Sequence, residues 1–442
     1  MIEPSTAAAG LLPQASTTSA RSTRAERYGN LYEELLGSFS GQAVDVSFRQ
    51  LVGPLPASEL THGMYPYPAR LVRHIPRYLL NVPQLNVGVE TIVDPFCGSG
   101  TVLLEAQLAG VTAHGIDTNP VAALVSRVKT SPRPLVPIVA GLEVLRQRFR
   151  RSRSRSIPAA FLHRWYSEQT LKEMARLASV VLQYDGSDRD VFLVALALTA
   201  RATSLSDPRL PVPVRASRPR SPRSPWDEFE MQLSRVASGV SSLSPTLPTS
   251  TVTCGDSRDS SCWPQSSGTR SAVLTSPPYA AAQKYARSTS IESAWLGYTD
   301  GRGSISIERQ TIGREHLRKS EHLDKFDAIW DGHLRTVLVG IHKDDGVRAS
   351  ILARYFLDMQ EAFRVATEQR PERMVVISGT NHVAGRLINT HMYLGNLLEH
   401  LGWSRTLGLR DTIRGRTLLT RRKTDAAPAR YEHVDIYETD DA

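Results

Sequence analysis

From residue 91 onward, short apolar runs alternate with helically spaced apolar positions. Residues 91–93 form a strand-length apolar run, followed by the glycine-bearing stretch "DPFCGSGT" at 94–101. Residues 102–109 predict a helix that stops at Gly110, and 111–116 a second strand closed by Asp117. Asn119 and Pro120 open another helix through Val128, since an Asn cap before a Pro is a start signal. Strand, glycine loop, helix, strand and acid make the opening half of a doubly wound, Rossmann-like α/β sheet. Downstream, 251–253, 272–274 and 374–377 predict strands, and 394–401 predicts a helix closing at Gly402. Residues 417–420 and 433–437 read as a last antiparallel pair.

Two regions break this alternation. In "HGMYPYPARLVRHIPRYLL" (62–80), Pro66 and Pro68 enforce an extended entry. Leu71, Val72, Ile75 and Leu79 then fit one helix face. Between 131 and 250 the strand pattern stops. Residues 161–184 and 191–201 predict amphipathic helices, flanked by "RQRFRRSRSRS" (146–156) and "RASRPRSPRSP" (215–225). Their Ser and Pro content reads as loop. The organisation expected is a disordered tail over 1–27, a first sheet segment over 28–130, a mostly helical, Arg-rich insertion over 131–250, and a second sheet segment over 251–442.

Composition narrows the function. The 442 residues carry a net charge of +9, which favours a polyanionic partner, nucleic acid ahead of membrane. No run approaches the ~18–20 apolar residues of a membrane span. Cys97, Cys254 and Cys262 form no C-x-x-C pair, which argues against a zinc site or a disulfide scaffold and suits a reducing cytoplasm. No metal is expected.

The glycine loop indicates a ligand. Gly98 and Gly100 let backbone approach a bound molecule, and the following helix offers its N-terminus to an anion such as a carboxylate. Asp94, ending one strand, is placed for an ammonium group. Asp117, ending the next, is placed for ribose hydroxyls. Carboxylate, ammonium and ribose together describe S-adenosylmethionine. A dinucleotide loop would want Gly at position 103, which is Leu, and a phosphate-binding loop would want Gly-Lys-Ser/Thr, which is absent.

These stretches resemble the exocyclic-amino DNA methyltransferases, which methylate adenine at its amino group or cytosine at N4. "DPFCGSGT" resembles the family's cofactor motif, and "TSPPY" at 275–279 its catalytic motif in the cytosine-N4 form. "HGMYPYPARL" resembles the additional cofactor-side motif, "GIDTNP" the ribose-binding turn, and "CGDSRD" the motif whose acid faces the adenine ring. The resemblance spans about 60–130 and 250–440 and is silent on 131–250. It implies S-adenosylmethionine bound by Tyr65, Tyr67, Pro68, Asp94, Phe96, Gly98, Ser99, Gly100, Thr101, Asp117 and Asp256. It implies catalysis by Ser276, Pro277, Pro278 and Tyr279. Double-stranded DNA is the implied substrate, and a cognate restriction endonuclease a candidate partner. Most cytosine-N4 members carry the catalytic motif first. Here the cofactor motif comes first, the order of an unpermuted sheet.

The motif suits the chemistry. A cytosine amino nitrogen is a poor nucleophile whose lone pair is delocalised into the ring. The Ser276 hydroxyl and Pro277 carbonyl can accept its two N–H groups, with the carbonyl held in place by proline's fixed φ. Tyr279 can stack on a base that has left the duplex. Ring-carbon methylation needs a cysteine after proline, and none of the three follows one. Adenine-N6 methylation, RNA amino methylation and a nucleic-acid-binding protein with a dead methyltransferase fold stay open. Lys284, Arg287, Asn381 and His382 are softer candidates, for phosphates and for the base pocket.

Overall fold

The computed structural model describes residues 23–439 except 57, 69, 154, 218–221, 265–267, 281–284, 300–304, 315 and 413–430. Ten strands are described: β1 (Val44–Val46), β2 (Thr91–Asp94), β3 (Thr112–Asp117), β4 (Ser250–Cys254), β5 (Ser271–Thr275), β6 (Arg373–Gly379), β7 (Asn381–Val383), β8 (Arg386–Ile388), β9 (Ser404–Thr412) and β10 (Tyr431–Glu438). Eight of them form one sheet in the order β1-β9-β10-β6-β5-β2-β3-β4, while β7 and β8 pair separately. All pairings in the large sheet are parallel except those of β10, which runs antiparallel to both β6 and β9.

The chain runs outward from β2 through β3 to β4, then returns to the other side of β2 as β5 and continues to β6. The order therefore reverses between β2 and β5, which pair with Val93 beside Val273. In such sheets ligands bind at that reversal, outside the carboxyl ends of the strands. Alternate residues face opposite layers, as the two-residue strand period requires. Ile92, Ala272, Leu274, Val375 and Ile377 enter one core. Val93, Val273, Met374 and Val376 enter the other, under the helices Gly346–Glu368 and Thr390–His400.

The strands and helices expected between 91 and 128 form where the pattern placed them. The region 131–250 is helical, but its bounds differ. The helix Leu135–Arg151 takes in Arg146, Arg148, Arg150 and Arg151, which were expected in a loop; arginine is a good helix former. The span 161–184 is split into a 3-10 turn, Ala160–Arg164, and a helix, Glu168–Leu182, capped by Ser167. Arg189–Thr203 is buried nearly all round rather than amphipathic. Pro225, expected in a loop, opens the helix Pro225–Ser241 behind the capping side chain of Ser224. These helices share one core with Val121, Leu124, Val125 and Val128 of the helix Pro120–Lys129, so the region packs as a layer of the sheet structure.

Three further differences stand near the ends. Residues 24–27, expected in the tail, begin the helix Arg24–Ser38 behind a Thr23–Glu26 capping box. The helix expected from residue 70 is confined to His74–Leu79. The strand expected at 417–420 falls outside the described residues. β10 pairs instead with β9, which the hydrophobic pattern did not show. No helix among the described residues is long and apolar enough to cross a membrane.

Candidate active site

At the carboxyl ends of β2, β3, β4 and β5 lies a cleft open to solvent. It is lined by Tyr67, Pro68, Asp94, Phe96, Gly98, Ser99, Thr101, Asp117 and Asp256 of the expected cofactor set. Ser276, Pro277, Pro278 and Tyr279 line the same cleft. Two motifs about 180 residues apart in sequence thus meet because β2 and β5 are neighbours. Tyr65 and Gly100 are the two expected residues that do not line it.

Gly100 has φ 74°, and a Cβ there would sit 2.3 Å from Ser126 Oγ. Its small size lets the helix Thr101–Leu108 pack on Pro120–Lys129. Tyr65 is 6% exposed, and its hydroxyl bonds to the buried Glu292 of the helix Ser290–Trp295. Gly98, at φ 51°, faces the cleft. Its amide donates to Asp117 Oδ2 at 2.9 Å, and the Tyr67 ring lies 3.5 Å from the place of its missing Cβ.

Both strand-ending acids are strained electrostatically. Asp94 is 3% exposed and accepts from Thr275 Oγ1 at 2.7 Å and from the Phe96 amide at 3.1 Å. Burial pushes its carboxyl up to about 7, the charge of Asp117 adds to this, and the two hydrogen bonds offset part of it. Burial likewise pushes Asp117 to about 6, against the amides of Asn119 and Gly98. A cation entering the cleft would relieve this cost, so the acids suit a ligand carrying an ammonium group.

Asp256, which lines the cleft, is held by an arginine. Arg258 grips it with Nε at 2.9 Å and Nη2 at 2.6 Å, and reaches Asp358 at 2.6 Å and the Gln310 carbonyl at 3.1 Å. Beside Ser276–Tyr279, Gly313 and Gly379 leave room for the tyrosine. A Cβ on Gly379 would stand 3.0 Å from Tyr279 Cε1, and one on Gly313 would stand 2.9 Å from the Tyr279 carbonyl oxygen.

Several residues of the site were missed. Asn119 was read only as a helix cap. Its Oδ1 does accept from the Val121 amide at 3.1 Å, but its Nδ2 also donates to Thr289 Oγ1 at 3.1 Å and to the Tyr67 hydroxyl at 3.4 Å. It thereby joins the turn after β3 to both the Tyr67 segment and the segment that follows Tyr279. Arg70, Thr311 and Ile312 also line the cleft, and Arg258 braces it. Thr275 and Arg258 stood inside quoted motifs; only the sheet shows whom they touch. Lys284 and the side chain of Asn381 lie outside the described residues. Arg287 is exposed, and His382 stands in β7. Among the described residues no cluster of His, Cys, Asp or Glu could hold a metal.

Residues 64–188 match the family model described as UPF0020: RMKL-like, methyltransferase domain. The chain is 35% identical over 75 residues to the Type II methyltransferase M.MvaI of Kocuria varians. It is 38% identical over 68 residues to the Type II methyltransferase M.MjaII of Methanocaldococcus jannaschii. These matches cover 17% and 15% of this chain, and 16% and 12% of the relatives, so the chain matches only a small part of either. Among solved structures, the rRNA methyltransferase aviRa from Streptomyces viridochromogenes aligns with 89% of this chain and 96% of its own, at 10% identity. Its TM-score of 0.29 is too low to bear on fold or function.

Proposed function

We propose that this chain, which carries a methyltransferase domain over 64–188, transfers a methyl group from S-adenosylmethionine to the exocyclic N4 of a cytosine in double-stranded DNA. The observation that carries the reading is the shared cleft. Ser276, Pro277, Pro278 and Tyr279 line one wall and the loop of Gly98 and Ser99 lines another. The printed names of the two relatives, both Type II methyltransferases, support the same class.

The residues present fit the cofactor. Asp94 would hold its ammonium group, Asp117 its ribose hydroxyls, and Tyr67, Phe96 and Ile312 its apolar surfaces. Asp256 is engaged by Arg258, so the adenine end would meet the backbone of Gly255 and Asp256 and the side chain of Ser257, all on the lining. When bound, S-adenosylmethionine supplies an electrophilic methyl group. Ser276 Oγ and the Pro277 carbonyl accept the two amino N–H groups, which drives electron density toward the nitrogen. The proline backbone orients that carbonyl beforehand. Tyr279, half-buried against Gly379, offers its ring to the base. Transfer leaves the amino nitrogen cationic and acidic, and it loses one proton to the solvent that enters the open cleft, with Ser276 Oγ and the Pro277 carbonyl orienting the N–H bonds.

The DNA substrate draws on the +9 charge and on the exposed Arg150, Arg151, Arg153 and Arg155. The test is incubation with methyl-labelled cofactor and either duplex DNA or RNA, followed by digestion to nucleosides. Label in N4-methylcytosine from DNA supports the reading. Label in adenine corrects the base, and label only in RNA replaces the substrate.

A further inference from the structure

Beside the glycine loop, Arg70, Arg73, Arg77 and Lys129 stand near the carboxylates of Glu59, Glu105, Asp94 and Asp117, and the ion pairs among them are unevenly shared. Glu59 pairs with Arg73 at 2.8 Å. The fully buried Glu105 pairs with Arg77, and with His62 Nε2 at 2.9 Å. Arg70 and Lys129 have no carboxylate within ion-pair distance among the described residues. Arg70 lines the cleft and donates to the His62 carbonyl at 2.5 Å. Lys129 is 2% exposed, with its ammonium 3.5 Å from Thr101 Oγ1.

A buried ammonium with so weak a partner is costly. Desolvation first, and then the charge of Arg70, lower its pKa to about 7. Thr101 is the first residue of the helix Thr101–Leu108 and itself lines the cleft. Two basic groups without an ion-pair partner among the described residues, and the positive end of a helix, thus converge on one stretch of wall, with the charge of Glu105 only partly offsetting the cost at Lys129.

We propose that Lys129 and Arg70 neutralise the α-carboxylate of S-adenosylmethionine, Arg70 directly and Lys129 as a positioning residue acting through Thr101. An N–H of Lys129 directed at Thr101 Oγ1 leaves the hydroxyl proton to point into the cleft, where it donates to the carboxylate. The inference rests on the cofactor assigned above. A DNA phosphate is the poorer occupant, because Lys129 is buried behind Thr101 where a duplex backbone does not reach.

Equilibrium binding of S-adenosylmethionine and of its decarboxylated analogue tests this on the full chain. Lys129→Met and Arg70→Gln should each weaken S-adenosylmethionine by about tenfold or more, as expected when a charge-assisted hydrogen bond is removed. Binding of the decarboxylated analogue should be unchanged in both. Equal losses for the two ligands, or no loss for S-adenosylmethionine, would overturn the inference and leave the cofactor reading standing. Failure of the unaltered protein to bind S-adenosylmethionine would remove both. Duplex DNA binding, measured in parallel without cofactor, should not change in Lys129→Met. A loss there with unaltered cofactor affinity would assign the cations to phosphate and overturn the inference.

Discussion

Thr275 Oγ1 donates a 2.7 Å hydrogen bond to Asp94 Oδ1, tying the end of β5 to the end of β2. The residue before the Ser-Pro-Pro-Tyr motif thereby steadies the acid assigned to the cofactor ammonium. The bond holds down an acid that burial raises to about 7. This couples stability and ligand binding to pH.

The sign follows from the raised value. An acid raised from 3.8 to about 7 on folding binds more protons folded than unfolded, so its stability contribution is present below about 4 and is lost as pH rises through about 7. Asp94→Asn, which keeps an acceptor for Thr275, should therefore raise the melting temperature of the cofactor-free protein at pH 8 by about 2 °C or more. At pH 5.5, about midway between the two values, the gain should be about half as large. The same variant should lose S-adenosylmethionine binding, measured by calorimetry. An equal gain at both pH values would contradict the assigned titration.

Ser276→Ala and Tyr279→Ala should keep cofactor affinity and lose turnover. Removing one preorganised polar group at a reacting centre costs about 2.7–4 kcal/mol, a hundredfold or more in rate. Gly379→Ala tests the setting of the ring without touching the motif. Its Cβ would stand 3.0 Å from Tyr279 Cε1 and 3.3 Å from the Tyr431 carbonyl. Single-turnover rates should fall with cofactor affinity intact.

Asp256→Asn should show whether that acid serves the ligand or the fold. With Arg258 gripping it, the change should weaken cofactor binding only a few-fold and act mainly on stability. Arg258→Met, which strips both Asp256 and the buried Asp358 of their partner, should destabilise by about 1–3 kcal/mol in urea unfolding. A large loss of affinity in folded Asp256→Asn would restore a direct role in holding the ligand.

Neutralising Arg150, Arg151, Arg153 and Arg155 together should weaken DNA binding across sequences. The dependence of affinity on salt should flatten by about one slope unit for each phosphate no longer neutralised. Arg146 is a poor choice for this set, because Glu230 and Glu143 hold it at 2.7 and 2.6 Å. An unchanged slope would make the four arginines a solvated face.

The glycine loop and its flanking strands were legible because each signal is local. An apolar run ends at Asp94, Gly98 and Gly100 break the pattern, and Asn119-Pro120 starts a helix. Gly100 shows the limit of such reading. A ligand loop and a tight helix packing both require glycine, and only the 2.3 Å approach of Ser126 Oγ tells them apart. The Arg-rich end of Leu135–Arg151 misled because serines follow it, although arginine itself favours helix. Pro225 misled because proline marks loops and helix starts alike. β9 lies at mixed depth, with Arg405 and Arg410 interrupting its apolar positions, so alternation did not reveal it. The capture of Asp256 by Arg258, the Asn119–Thr289 bond and the leftover charge of Lys129 depend on residues far apart in sequence, and no periodicity carries them.

The central claim is the product. The unaltered protein, methyl-labelled S-adenosylmethionine and unmodified duplex DNA of high sequence complexity are incubated, and the digested nucleosides are separated by chromatography against authentic standards. Chromatography is needed because the methylcytosine isomers share one mass. The account predicts label at N4-methylcytosine, lost in Ser276→Ala. Label at the ring carbon of cytosine would contradict the mechanism built on Ser276 and Pro277.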